Sequence, residues 1–181
     1  MTTEELVSIF YSNYNVGIDY SAIDETLFLI NEGCLEYELK VISNKDEFNF
    51  FIDRISSGKI KTYDIAGGGI GHLALKLIAL KYFRQPNAKV NCENWYQGYI
   101  PDLIFGSNNN ITIVECGDTN PPKVIGYLER KEVNKIIIIS YPKEDNLIYQ
   151  HIFSKGPDLD DYLNLKNKIS LEKIKKILKK R

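Results

Sequence analysis

The chain has 181 residues, 44% of them hydrophobic and 26% charged, the composition of a globular protein able to bury a core rather than of a disordered, collagenous or low-complexity one. Its formal net charge is −1, and no run approaches the roughly 18 consecutive apolar residues that span a bilayer. Cys34, Cys92 and Cys116 are widely spaced, odd in number and form no CxxC pair, which argues against a disulfide framework or a zinc cluster. With acids and no basic leader in MTTEELVSIFYSNY, the default expectation is a soluble, cytoplasmic protein with no membrane partner.

Thr2-Thr3-Glu4-Glu5 reads as a capping box opening a helix through about residue 13. Ser21 is a candidate cap for a second helix ending near Gly33, and CLEYELKVI (34–42) alternates as a strand does. From Asn44 to Gly58, Phe48, Phe51, Ile52 and Ile55 recur at helical spacing before a terminating glycine. A strand, a glycine cluster and a long apolar helix fit KIKTYDIAGGGIGHLALKLIALKYF (59–83). In that helix His72 and Lys76 form a polar i, i+4 stripe opposite Leu73, Leu77 and Leu80. The stripe either faces a site or lies on the solvated surface.

Strands are expected at about 88–95, 99–106 and 111–116, with the SNNN loop (107–110) joining the last two as an antiparallel hairpin. Alternation puts Ile111, Ile113 and Glu115 on one face and Thr112, Val114 and Cys116 on the other. Glu115 thus ends an apolar stripe, and Asp102, just after Pro101, lies on the paired strand. Two carboxylates converging at the rim of an apolar sheet repel each other, a cost commonly offset by a hard divalent cation with oxygen ligands. A helix follows from Pro121, with Thr119 or Asn120 as its cap and Lys123 in its first turn. Asp118 reads as a turn residue before that cap. NKIIIISYP (134–142) is β-branched throughout, as suits a strand buried on both faces.

Residues 166–181 carry eight basic residues and one acid, net +7, against 15 basic and 23 acidic residues on the remainder. Leu171, Ile174, Ile177 and Leu178 behind Ser170 make this tail an amphipathic basic helix. Lys173, Lys176 and Lys180 are candidate phosphate contacts there, and a solvated lysine face on a docked helix is the competing reading.

The pairing of Pro101-Asp102 with Glu115-Cys116-Gly117 resembles the PD-(D/E)XK, restriction-endonuclease-like nuclease superfamily over roughly residues 69–142. The phrase ECGDTNPPK (115–123) is similar to a divergent branch in which Gly117 replaces the motif lysine and a lysine on the next helix, here Lys123, takes its part. The resemblance implies an α/β protein with an αβββαβ core, a central mixed sheet flanked by helices. Residues 59–157 would form this nuclease-like core, 1–58 an N-terminal α+β extension and 158–181 the basic helical tail. It further implies metal-dependent hydrolysis of DNA phosphodiesters. Asp102, Glu115 and the Cys116 backbone carbonyl would hold Mg²⁺ or Mn²⁺, with Glu93 as a candidate third carboxylate and Lys123 positioning water or phosphate. His72 and Lys76 would contact phosphate, since no acid stands between Gly69 and Arg84 where the family often has a glutamate. Lys123's long stem would fill the space beside Gly117. Trp95, Tyr96 and Tyr99 are candidate base-stacking residues. Many nucleases of this fold act as dimers to cut two strands, so a homodimer is a candidate assembly, although no self-complementary surface is legible in the sequence.

Two alternatives stand beside this reading. Gly117 and the missing helix glutamate favour a catalytically degenerate nuclease fold acting as a nucleic-acid-binding or assembly module. The glycine cluster at 67–74, with Gly69-x-Gly71-x-x-Ala74 and Glu93 about 20 residues on, has the look of a nucleotide or S-adenosylmethionine loop. Residues 94–118 leave no room for the crossover helix that loop requires.

Overall fold

The computed structural model describes residues 1–12, 17–60, 68–83, 90–92, 96, 98–107 and 109–178. Helix α1 (Thr3–Phe10) opens with the expected capping box: the Glu5 N–H donates to the Thr2 hydroxyl and the Thr2 N–H to the Glu5 carboxylate. It stops short of residue 13 because the Asp118 carboxylate takes the Ser12 N–H at 2.7 Å and the Ser12 hydroxyl at 3.0 Å. Helix α2 (Tyr20–Asn31) is capped by Asp19 rather than Ser21, which lies inside its first turn.

Strand β1 (Leu35–Asn44) leads directly into α3 (Lys45–Ser56), whose cap is Asn44. Then come α4 (Gly69–Phe83), β2 (Val90–Cys92), β3 (Leu103–Ser107), β4 (Asn110–Cys116), α5 (Pro122–Leu128) and β5 (Val133–Ile139). The strand expected after Lys59 lies mostly outside the described residues. Strand β3 begins only at Leu103, and Tyr96 and Tyr99 make an isolated bridge ahead of it. Neither Thr119 nor Asn120 caps α5. Pro121 occupies the cap position, Thr119 donates its hydroxyl to the Gly117 carbonyl, and the Thr119 N–H goes to the Phe10 carbonyl.

No strand is expected from the sequence after residue 142, yet β6 (Leu147–Lys155) is one of the longest. It is followed by α6 (Leu159–Lys166) and α7 (Leu171–Leu178), the latter starting after Ser170 as expected. The described strands form one mixed sheet in the order β1-β6-β5-β4-β3-β2. The β4–β5 pair, joined through α5, is parallel, and the others are antiparallel.

Because β6 inserts between β5 and β1, residues 1–58, 59–157 and 158–181 all contribute to this sheet and its cores. On one face Leu6, Phe10, Ile23 and Leu29 from α1 and α2 pack with Val124 and Leu128 of α5, Tyr162 of α6 and Ile174 and Leu178 of α7. On the other, Leu75, Ile78 and Ala79 of α4 pack on Leu103, Val114 and Ile139, with Phe48 and Phe51 of α3 beside them. Ile136 to Ile139 are buried on both faces, as their β-branched run demands. No described helix is long and apolar enough to cross a membrane.

Candidate functional site

The hairpin β3–β4 supplies the floor of the site. Its register ends at Leu103 opposite Val114, so the next position brings Asp102 opposite Glu115. Pro101 has no N–H to donate to a ladder, and the Asp102 side chain takes over where backbone pairing stops. Its Oδ2 accepts the Cys116 N–H at 2.7 Å. Both carboxylates are withdrawn from water, Asp102 at 5% and Glu115 at 4% exposure.

Helix α4 delivers two polar groups to Asp102. His72 Nε2 lies 2.8 Å from Oδ1 and Lys76 Nζ 3.7 Å from the same oxygen. A carboxylate only accepts, so the histidine carries its proton on Nε2. Leu73, Leu77 and Leu80, opposite that polar stripe, are only partly buried. Ala74, Leu75, Ile78 and Ala79 form the inner face, and Lys76 is buried with them at 7% exposure. Of the two alternatives for the His72/Lys76 stripe, the structure has it facing the site, against Asp102. Gly68 permits it, because a Cβ there would fall 2.4 Å from the His72 ring.

Helix α5 serves Glu115 in the same manner. Lys123 Nζ spans both carboxylate oxygens at 3.0 and 3.1 Å, and the Tyr127 hydroxyl donates to Oε1 at 2.9 Å. Lys123 and Tyr127 are four apart, hence on one helix face. Burial pushes the Glu115 carboxyl above its usual range; the Lys123 charge and the two hydrogen-bond donors pull it back, while the Asp102 charge adds to the rise. The Tyr127 hydroxyl is driven well up by burial and then by Glu115, so it stays a donor.

Tyr141, not the Lys123 stem, fills the space beside Gly117. Gly117 has φ +75°, and a Cβ on it would meet the Tyr141 ring at 2.7 Å. A second glycine, Gly71, faces the same ring, with a Cβ position 3.3 Å away. The tyrosine therefore wedges between the end of β4 and the start of α4. Burial raises its hydroxyl pKa, and Asp118, Cys116 and Asp102 add to the rise. Beside it opens a cleft of about 430 Å³ lined by Gly117, Asp118, Ser140, Lys143, Ser8 and Ser12 among others.

Of the remaining candidates, Tyr99 and Asp118 border this cluster, and the others lie apart from it or outside the described residues. Glu93, Trp95 and Lys180 belong to the latter group. Lys173 and Lys176 are exposed on α7, which docks through Ile174 and Leu178 on the sheet face opposite α4. Tyr96 donates its hydroxyl to Glu132, and Tyr99 packs on Tyr127 with ring centroids 5.0 Å apart. Asp118 accepts the Ser12 N–H and hydroxyl, a contact between residues 106 apart in the chain. Tyr127 and Tyr141 were missed by sequence reasoning. Tyr127 carried a usable signal, its i+4 spacing from Lys123; Tyr141 carried none.

Asp102 and Glu115 offer carboxylate oxygens from facing positions, and each carboxylate has lone pairs beyond those already used. No group of three or more His, Cys, Asp or Glu side chains able to hold a metal occurs among the described residues. Magnesium commonly takes one or two carboxylates and completes its shell with water and substrate phosphate. Comparison with family models, with curated proteins and with solved structures found no match.

Proposed function

We propose that the chain is a restriction-endonuclease-like nuclease that hydrolyses DNA phosphodiester bonds with Mg²⁺ or Mn²⁺. The observation that carries this reading is that Asp102 and Glu115 stand buried at facing positions at the end of the β3–β4 hairpin, with Lys123 Nζ 3.0 Å from Glu115. The element order supports it: α4, the antiparallel β2–β3–β4 meander, α5 and a parallel β5 form an αβββαβ unit around the site. A dinucleotide loop would lead through its helix into a parallel βαβ unit, whereas α4 leads into the antiparallel meander. Gly68 and Gly71 of the glycine cluster already make room for His72 and Tyr141.

Asp102, Glu115 and the Cys116 carbonyl would hold the ion, which when bound lowers the pKa of a water and neutralises charge developing on phosphoryl oxygens. Lys123, freed from Glu115 by the competing cation, would orient water or the scissile phosphate. His72 and Lys76 would bind phosphate from the α4 side, where a family member often carries glutamate. Tyr127 holds the Glu115 carboxylate in place.

The second reading, a degenerate fold that binds nucleic acid without cutting it, is favoured by Gly117 and by the lysines that already balance both carboxylates. One experiment separates the two. Labelled duplex, branched and single-stranded DNA are incubated with Mg²⁺ or Mn²⁺ and either wild type or Glu115→Gln. Metal-dependent cutting by wild type that the variant lacks is expected. DNA binding without cutting by wild type would move the assignment to the binding module, and undiminished cutting by the variant would remove Glu115 from the mechanism.

A further inference from the structure

Strand β1 is an edge of the sheet, paired with β6 on one side and with no strand on the other among the described residues. Such an edge exposes unpaired backbone donors and acceptors and is normally guarded. Here Leu39 and Val41 stand on it at 49% and 50% exposure, well above what a shielded strand face leaves open. They share a face with Tyr37, while Glu38 and Lys40 share the other, where Lys40 Nζ meets Glu38 Oε1 at 2.8 Å. The register irregularity between Val41 and Ser43 ends the regular stretch.

An antiparallel copy of residues 37–41 would find a complementary partner in this edge. With Leu39 opposite Leu39, each Glu38 falls opposite a Lys40 and each Tyr37 opposite a Val41. Centring on Glu38 or on Lys40 sets like charges face to face, and a register shifted by one residue puts charged side chains opposite apolar ones. One two-fold register therefore satisfies every position, and the charges that would guard the edge against a foreign strand become complementary to the same strand inverted.

We propose that β1 pairs antiparallel with β1 of a second copy of this chain, centred on Leu39, joining two sheets across a two-fold axis. The contact is isologous, so it closes as a dimer. Pairing over so short a stretch buries less than the roughly 800 Å² per partner of a standard interface, so a weak, reversible dimer is expected. Leu39 lies opposite His151, His151 opposite Ile138 and Ile138 opposite Glu115. The dimer therefore sets the two Glu115 residues seven strand spacings apart along one row, about 34 Å. That is about the rise of one turn of duplex DNA, a match that matters only if the nuclease reading holds; the dimer stands without it.

Sedimentation equilibrium across the micromolar range tests the proposal without reference to cleavage. Wild type is expected to approach twice the 20.8 kDa of one chain. Glu38→Lys and Lys40→Glu each place like charges opposite one another and are expected to weaken association by at least about tenfold. The combined Glu38→Lys/Lys40→Glu variant restores the pairing and the dimer. Leu39→Lys is expected to be monomeric, with circular dichroism confirming that each of these surface variants is folded. A monomeric wild type into the high-micromolar range, a dimer indifferent to the single reversals, or a double reversal that fails to recover association would each overturn the proposal.

Discussion

Gly117 stands where the proposed nuclease reading would place a lysine, and the structure gives a steric reason for the glycine. Its left-handed backbone costs a side-chain-bearing residue about 1 kcal/mol, and any Cβ must also displace the Tyr141 ring. Restoring the motif lysine is thus the wrong repair. Gly117→Lys is expected to lose about 2–4 kcal/mol of stability and to gain no cleavage, because Lys123 already supplies an ammonium beside Glu115. Adding Tyr141→Ala should return part of the loss while leaving the backbone strain. Chemical denaturation of the single and double variants measures this directly, and a stable, more active Gly117→Lys would show that the tyrosine wedge is not what excludes the lysine.

Helix α7 is an element whose two faces divide its roles. Ile174 and Leu178 are buried in the core, whereas Lys173 and Lys176 point to solvent, so charge can be removed without disturbing the docking. Lys173→Ala/Lys176→Ala is expected to weaken DNA binding across sequences and reduce the salt slope by up to about 2, with thermal stability nearly unchanged; an unaltered slope would leave the lysines as a solvated face. Ile174 and Leu178 of α7 and the continuous Ile run of β5 were legible because burial there follows periodicity, whereas Ile177 of the same expected stripe is 40% exposed. In β6 the centre of LIYQHIFSK is polar, and Gln150 and His151 are nevertheless buried. Gln150 reaches the Tyr82 hydroxyl, and His151 Nδ1 lies 2.9 Å from the Tyr37 hydroxyl. Those partners lie 68 and 114 residues away in the chain, so no local window contains them. The orientation of α4 stayed open between two readings for the same reason, since Lys76 meets Asp102, a residue of another element. The hairpin and the Lys123 turn were readable because their geometry is local.

At the scale of the whole molecule, the insertion of β6 is what makes the N-terminal segment part of the same folding unit, and His151 lies at that junction. Opposite Leu39 on β1 and Ile138 on β5, it is 3% exposed with Nε2 unpartnered among the described residues. Burial first, and then the nearby Lys143 charge, lower its pKa from 6.5 to about 3. Tyr37, raised to about 12, stays protonated beside it. The folded protein therefore holds a neutral imidazole that the unfolded chain protonates below about pH 6.5, and stability is lost as pH falls through that window toward 3. Between about pH 6.5 and 4.5 this amounts to about 2 kcal/mol. Glu115 acts in the opposite sense: its raised pKa makes the protonated form favour folding, so its contribution is lost as pH rises above the ordinary carboxylate range. Comparing variants isolates the histidine. His151→Gln keeps a partner for Tyr37 but cannot titrate, so its stability is expected to fall less than that of wild type on acidification, whatever the substitution costs at neutral pH. Urea unfolding at a series of pH values reads the two slopes, and parallel curves for wild type and variant would mean that the β6–β1 junction is open enough for the imidazole to be protonated in place.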